Sequence, residues 1–383
     1  MKHIKSLDGI RGYAIIAVMI YHFTIGFQQS ASLNEWEQGL ALLLNVFWMG
    51  VDLFFVMSGF LITSLLCRDV NNSHYYQRFY IRRFLRIFPL FYALLFVLTI
   101  LLPWLSEGFS EKTALFQENS IWFWTYLVNW RIAYVGDFEL FQGGYMWSLA
   151  VEEQFYLIWP LIIKWGRDRL VQICGGLFAF GLAVKIGMVI YGTTGTALYT
   201  STFTHMDALL LGSVLAVLKG EGDFSTRLVR HLGALALCAI AVLVGLILVE
   251  GKLGFEYVSV SAIGLPAIAL IGAYILVKGV SVSPEHRLTR VLQNRVVMYF
   301  GKLCYGLYLL HQPIGSAVTK FIPFDSIPLW GSVLPSTLLN VIVSVLLSLL
   351  VAHLSFHLFE KHFLKLKKYE PQSAPLTLNQ SER

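Results

Sequence analysis

The chain has 383 residues, of which 56% are hydrophobic and 14% charged, and its mean hydropathy is +0.65. Soluble domains contain roughly 45–50% apolar and about 25% charged residues, so this composition excludes an ordinary water-soluble fold. The net charge of +6 does not indicate nucleic-acid binding, because Lys and Arg occur in short clusters between apolar runs. The sequence therefore predicts an all-α, polytopic membrane helix bundle.

Apolar runs of about 17–25 residues can cross roughly 30 Å of hydrocarbon. The sequence predicts ten such transmembrane helices, at 9–27, 40–66, 84–105, 147–165, 170–192, 203–218, 231–249, 256–278, 297–318 and 332–358. The first run carries Asp8, Arg11 and His22, which a cleaved signal peptide does not need, so we interpret it as a span. The segment from Ile121 to Trp130 is short and rich in tryptophan, which favours partial insertion at the outer interface.

Basic residues fix the predicted orientation. With ten spans and segment 121–130 outside, 23 of the 29 Lys and Arg fall on one side, which the positive-inside rule identifies as cytoplasmic. Both termini are then cytoplasmic, with a membrane domain over 1–368 and a short polar tail over 369–383. The cysteines lack metal-ligand spacing and lie singly in apolar surroundings, so no metal is expected.

The first span holds two polar residues on one helical face. Arg11 and His22 are eleven residues apart, which places them about 16 Å apart along that face. An ionisable group in mid-bilayer costs about 2.5–3.5 kcal/mol on insertion scales, so each one is a functional hypothesis. A buried imidazole is a ready proton acceptor, which makes His22 a candidate catalytic base. Arg11 could alternatively extend to lipid phosphates, with Asp8 neutralising it.

The second span reads GVDLFFVMSGF, with Asp52 six residues before Ser58. An acid within a span is a candidate catalytic group. The Ser58–Gly59 step lets either a thin ligand or another helix approach closely, and both interpretations stay open.

Three arginines, Arg82, Arg83 and Arg86, lie at the cytoplasmic start of the third span. Guanidinium groups one helical turn apart can hold phosphates through several charge-assisted bonds. The alternative is an ordinary cluster that obeys the positive-inside rule.

The fourth span begins with unusually polar residues. Ser148 and Glu152 are four residues apart and share a helical face in the predicted outer half, and Glu152 is a candidate catalytic acid. The candidate substrate-binding residues of the outer half are Trp147, Ser148, His205, Asp207 and His311.

Five motifs occur in order along the chain: LDGIRG with a histidine eleven residues past its arginine, GVDLFFVMSGFLI, RRFLRIFP, WSLAVEEQFYLIWP and YGLYLLHQP. Together they resemble the acyltransferase 3 family of membrane O-acyltransferases, which modify carbohydrates of the cell envelope. Matching the family's motifs places its arginine-to-histidine pair on Arg11 and His22, its RxxR motif on Arg83 and Arg86, and its SxxxE motif on Ser148 and Glu152.

The resemblance implies about ten spans in a bacterial-type inner membrane. It also implies cytoplasmic acyl-coenzyme A, expected to be acetyl-coenzyme A, as donor and co-substrate, and a carbohydrate or glycolipid hydroxyl as acceptor. Many relatives carry an additional extracytoplasmic esterase-like domain, which is not expected here.

The functional hypothesis is O-acetyl transfer. His22 acts as general base on the acceptor hydroxyl or transiently carries the acyl group, and either Glu152 or Asp52 orients its imidazole. The expected donor-binding residues are Arg11, Arg82, Arg83, Arg86 and Ser58. One alternative is a proton-coupled secondary transporter, because buried acids and histidines also build such carriers. Another is a structural protein of the envelope, which would not need His22.

Overall fold

A computed structural model describes residues 4–31, 33–105, 111–138, 143–220, 222, 224–283, 285–322 and 332–369. Within these ranges the chain is helical and contains no strand, so the predicted all-α class is confirmed. The polar tail predicted over 369–383 falls, apart from Tyr369, outside the described residues.

We number the α-helices in chain order. The first group is α1 (Lys5–Phe23), α2 (Ile25–Gln28), α3 (Glu35–Asn45), α4 (Gly50–Asp69), α5 (Tyr75–Phe96) and α6 (Leu102–Leu105). The second is α7 (Glu111–Glu118), α8 (Ser120–Trp124), α9 (Val128–Val135), α10 (Trp147–Gly166), α11 (Leu170–Tyr191), α12 (Gly195–Thr200), α13 (Thr202–His205) and α14 (Asp207–Gly220). The third is α15 (Thr226–Glu250), α16 (Leu265–Ser281), α17 (Arg287–Leu292), α18 (Arg295–Phe321), α19 (Leu334–Ser355) and α20 (Lys361–Lys365).

Each predicted span overlaps one or more consecutive helices. Six stretches of the described chain are long and apolar enough to cross a membrane: Glu35–Asp69, Tyr75–Trp104, Gly144–Tyr191, Thr226–Glu250, Val260–Ser281 and Leu334–Lys368. The third of these contains both α10 and α11. Helices α1, α14 and α18 cover the other predicted spans and carry polar residues of the candidate site. The chain is therefore a polytopic membrane bundle.

The tryptophan-rich segment 121–130 does not form a membrane-spanning helix. Helix α8 has five residues and α9 has eight, far fewer than the roughly 20 that a crossing needs. Between them Tyr126 has a φ of 55°, a left-handed conformation that non-glycine residues rarely adopt. Its ring stacks on Phe91 at 4.2 Å and its carbonyl accepts a hydrogen bond from Gln154 at 2.8 Å. These contacts hold Tyr126 in its left-handed conformation between the two short helices.

Helices α1 and α18 touch through their backbones. A Cβ atom at Gly12 would lie 2.0 Å from the carbonyl oxygen of Val297, and one at Gly301 would lie 1.8 Å from that of Asp8. Only glycine permits such an approach, and close packing of this kind is how membrane helices associate without a hydrophobic driving force. The contact fixes the position of α1 along α18.

Helices α4 and α14 form a second close pair. A Cβ atom at Gly59 would lie 1.9 Å from the carbonyl oxygen of Leu209, and the hydroxyl of Thr63 donates to that of Ser213 at 2.9 Å. Gly59 is therefore required by helix packing, which decides between the two interpretations that the sequence left open for this residue.

Replacing Gly301 with alanine should separate α1 from α18. The added methyl group overlaps a backbone carbonyl, so we expect the free energy of unfolding to fall by about 1–3 kcal/mol. Denaturant unfolding in detergent measures the change. Gly187→Ala in α11 is the matched control, because a Cβ atom there meets nothing within 4 Å. Equal stability of the two variants would contradict the proposed backbone contact.

Candidate active site

Two histidines meet where the carboxyl-terminal end of α1 lies beside the second half of α18. His22 Nδ1 lies 3.0 Å from His311 Nε2, and His311 Nδ1 donates to the carbonyl of Tyr308 at 2.7 Å. A carbonyl can only accept, so the His311 proton is on Nδ1 and its Nε2 accepts from His22 when both rings are neutral. This network, rather than an observed hydrogen, assigns the tautomers. His22 is left with a lone pair on Nε2.

A cavity of about 1120 Å³ lies beside His22. Its wall contains the carboxamide side chains of Gln28, Gln29, Gln38, Asn45 and Gln312. It also contains the aromatic side chains of Tyr21, Trp48, Phe138, Tyr145, Trp147, Tyr199, Phe255 and Tyr308. Pockets for small ligands usually measure roughly 300–1,000 Å³, so this one suits a larger, polar molecule.

One side of the cavity is formed by Trp48, Trp147, Tyr199 and Phe255, which we call the aromatic wall. The ring centroids of Trp147 and Tyr199 are 4.5 Å apart, and Tyr199 stacks on Phe255 at 4.7 Å. Trp48 meets Tyr199 edge-on at 5.2 Å. Such pairs add to the stability gained by burial, so the wall is a rigid surface.

A buried acid–histidine pair supports the aromatic wall from behind. His205 Nε2 lies 2.8 Å from Asp52 Oδ1, and His205 Nδ1 lies 2.5 Å from the carbonyl of Tyr199. The imidazole also contacts the Trp147 ring, with centroids 5.2 Å apart. The sequence offered Asp52 as a partner of His22, but in the structure Asp52 pairs with His205. The reason is that α4 packs against α14, which directs Asp52 towards His205.

Glu152, the second acid that the sequence offered as a partner of His22, contacts other residues instead. Ser58 donates to Glu152 Oε1 at 2.6 Å, and its oxygen lies 2.7 Å from the hydroxyl of Tyr156. The guanidinium of Arg83 lies over the Tyr156 ring, 5.0 Å from its centroid. The second possible orienting acid thus belongs to a cluster on α4, α5 and α10.

Arginines from two helices converge on this cluster. Arg83 and Arg86 are one turn apart on α5 and within electrostatic range of each other. Arg11, on α1, lies within that range of Glu152, and both Arg11 and Arg86 lie within it of Cys304 on α18. We call Arg11, Arg83 and Arg86 the arginine cluster.

The two remaining donor candidates differ in position. Arg82 is half-buried on the same turn of α5 as Arg83, and Ser58 lies against Glu152. Arg11 also contacts Asp8, at 3.6 Å, as the sequence suggested.

A column of polar groups joins the arginine cluster to the histidine pair. Ser148, one turn from Glu152 on α10, lies 2.7 Å from the hydroxyl of Tyr308. Tyr308 donates in turn to the carbonyl of Tyr145 at 2.5 Å. On α18, Cys304, Tyr308 and His311 follow at spacings of four and three, so they share one face. We call this row from Glu152 to His311 the polar column.

The predicted substrate-binding residues separate into different places. Of the five, Trp147 is among the described residues that line the cavity. Ser148 and His311 belong to the polar column. His205 lies behind the aromatic wall. Asp207 pairs instead with Lys185 of α11 at 3.5 Å, and both side chains are buried. Across the described ranges, no three His, Cys, Asp or Glu side chains are grouped as metal ligands.

Sequence reasoning missed the carboxamides and most of the aromatic residues of the cavity. Asn45 and Gln28 hydrogen-bond to each other at 3.4 Å, and both belong to segments outside the charged motifs. One signal was available: Gln28, Gln29 and Gln38 follow the first span within a short stretch. Ordinary loop composition explains such a stretch equally well, so it carries little weight alone.

These features define an integral membrane protein with a half-buried histidine, His22, beside a large cavity of aromatic and carboxamide side chains. Residues 4–352 match the acyltransferase 3 family, described as an acyltransferase domain. The chain therefore belongs to the acyltransferase 3 family, and the predicted membership is confirmed.

Two similar proteins have names that state an activity. O-acetyltransferase OatA of Staphylococcus aureus (strain NCTC 8325 / PS 47) is 29% identical over 354 residues, which cover 86% of this chain and 53% of the relative. Peptidoglycan O-acetyltransferase OatA of Listeria monocytogenes is 29% identical over 351 residues, covering 87% and 53%. The chain thus spans about half the length of these relatives. No solved structure matches it at a significant level.

The Asp52–His205 pair gives a test of the site's geometry. Replacing His205 with Phe leaves a buried carboxylate unpaired, so we expect the free energy of unfolding to fall by about 3–5 kcal/mol. Combining it with Asp52→Leu removes the unpaired charge and should recover most of that loss. A double-mutant cycle of denaturant unfolding measures the coupling. Strictly additive effects would show that the two side chains do not interact.

Proposed function

We propose that the protein transfers an acetyl group from cytoplasmic acetyl-coenzyme A to a hydroxyl of a carbohydrate at the outer side of a bacterial inner membrane. Family membership supports an acyltransferase, and the names of both relatives support O-acetyl transfer. The observation that carries the proposal is the position of His22, which lines the large cavity and is held by His311 at the end of the polar column.

His22 acts in this proposal as the general base. Its Nε2 takes the proton of the acceptor hydroxyl while that oxygen attacks the thioester carbonyl carbon. The carbon–sulfur bond then breaks, and the proton passes to the leaving thiolate to give free coenzyme A. The hydrogen bond from His22 Nδ1 to His311 stabilises the transient imidazolium. In a two-step route the same Nε2 would carry the acetyl group.

The arginine cluster binds the phosphates of the donor. Guanidinium groups form strong, charge-assisted bonds to phosphate oxygens, and three of them from α1 and α5 converge near Glu152. Arg82 and Ser58 lie close enough to contribute. The rise from Arg11 to His22 is about 16 Å, which suits the extended pantetheine arm along the polar column.

The proposed orientation has ten spans and both termini in the cytoplasm. It places the arginine cluster in the inner half of the membrane, where coenzyme A is available, and the cavity in the outer half. Most basic residues outside the spans are then cytoplasmic. Donor and acceptor thus approach His22 from opposite sides.

A carbohydrate suits the cavity because a sugar ring has an apolar face and a rim of hydroxyls. The aromatic wall can pack against the apolar C–H face, and the carboxamides can both donate and accept hydrogen bonds. The name of the Listeria relative specifies peptidoglycan as its substrate. A glycan of the cell envelope is the proposed acceptor here.

Replacing His22 with Gln tests the base directly. The substitution keeps a polar side chain but removes the proton acceptor, so transfer should fall roughly 10²–10⁴-fold while coenzyme A binding persists. Transfer of labelled acetyl in membranes and calorimetry on purified protein measure the two properties. Near-wild-type transfer would rule out His22 as the base.

The arginine cluster is tested by Arg83→Ala and Arg86→Ala. Each should weaken coenzyme A binding by about 1.5–3 kcal/mol, because a charge-assisted hydrogen bond is lost. Arg68→Ala is the control, since Arg68 is paired with Asp69 at the end of α4, outside the arginine cluster. If all three variants bound coenzyme A as tightly as the wild-type protein, Arg83 and Arg86 would serve membrane topology alone.

A further inference from the structure

A second group of basic residues lies where α18 meets the end of α19. The hydroxyl of Tyr299 hydrogen-bonds with His353 Nδ1, and the rings of His353 and His357 are 4.4 Å apart. Lys302 and Lys361 both lie within electrostatic range of His357. We call Tyr299, Lys302, His353, His357 and Lys361 the basic cluster. It shares no residue with the arginine cluster or the polar column.

The local backbone brings these groups together. Residues Phe356–Glu360 form a π-helical turn between α19 and α20, a rare feature that often accompanies functional sites. The turn lies between His353 and Lys361, and Lys302 of α18 is 5.1 Å from the centroid of the Phe356 ring. Basic groups from two helices therefore face one small area.

The basic cluster lacks a carboxylate partner within the described part of the chain. No Asp or Glu there forms a salt bridge with either lysine or either histidine. The neighbouring Glu360 is turned away, since it accepts a hydrogen bond from Ser355 at 3.1 Å and lies within electrostatic range of Arg86. The two lysine ammonium groups, held near the same imidazole without a carboxylate partner, favour binding of an anion, and the histidines and Tyr299 can add hydrogen bonds to it.

The surface beside the basic cluster is apolar and exposed. Leu346, Leu350, Leu354 and Leu358 recur every four residues along α19 and its π-helical turn, with 60%, 53%, 44% and 71% of each side chain exposed. In a membrane bundle such a stripe contacts acyl chains. An anionic group bound at the basic cluster would therefore belong to a molecule whose apolar part lies along this stripe.

We propose that the basic cluster binds the phosphodiester headgroup of an anionic phospholipid, with the acyl chains along the leucine stripe. Basic pockets at the cytoplasmic ends of membrane helices recognise such headgroups. The proposed orientation places the site in the cytoplasmic leaflet. The site itself does not depend on the transferase activity, since lipid binding can be measured without turnover.

The test compares phosphatidylglycerol with phosphatidylcholine by native mass spectrometry of the full-length protein in detergent. In Lys302→Gln/Lys361→Gln, affinity for phosphatidylglycerol should fall roughly 10–30-fold while that for phosphatidylcholine stays unchanged. Lys302→Arg/Lys361→Arg keeps both charges and should retain the lipid. Lys278→Gln/Arg290→Gln removes two positive charges elsewhere, and its affinity should equal that of the wild type.

Three outcomes would overturn the proposal. One is an unchanged phosphatidylglycerol affinity in the Gln variant, and another is an equal loss in the charge-matched control. The third is a loss of coenzyme A affinity with lipid binding intact, which would assign the basic cluster to the donor. Failure of acetyl transfer in the wild-type protein would leave the lipid measurement unaffected, so the two proposals can fail separately.

Discussion

The backbone contact between α1 and α18 is the constraint on which the candidate site depends. Gly12 and Gly301 allow the backbones of the two helices to touch, which fixes the position of one helix along the other. About ten residues further along each helix, the same alignment brings His22 to 3.0 Å from His311. Helices are rigid over this distance, so a shift at the glycines would be carried to the imidazoles. The packing of this one helix pair therefore affects both the stability of the bundle and the geometry of the histidine pair.

The helices could be predicted from sequence because each apolar run carries its own information. Length and hydropathy are local properties, and every predicted span overlaps helical structure. Arg83 and Arg86 could also be predicted to act together, since their spacing fixes them on one face of α5. Ten crossings and their direction depend on the membrane itself and on charges across many loops, so they stay predictions.

The partners of the buried polar groups could not be predicted. His22 and His311 are 289 positions apart, and Ser58 and Glu152 are 94 apart, so helix packing alone decides these contacts. The sequence offered Asp52 and Glu152 as partners for His22 because acids commonly orient imidazoles. It contained no sign that Asp52 would meet His205, or that a second histidine would hold the first. Their polarity was visible in the sequence, but their pairing was not.

A histidine partner has a physical advantage over a carboxylate at this position. A carboxylate beside His22 would place a permanent charge next to a cavity within the membrane, and desolvating it is expensive. Two neutral imidazoles avoid that cost, and His311 is in turn fixed by the Tyr308 carbonyl. In the proposed mechanism, charge then develops only while His22 carries the proton of the acceptor hydroxyl. The two acids nearby have other partners. Asp52 hydrogen-bonds to His205 behind the aromatic wall, and Glu152 accepts a hydrogen bond from Ser58.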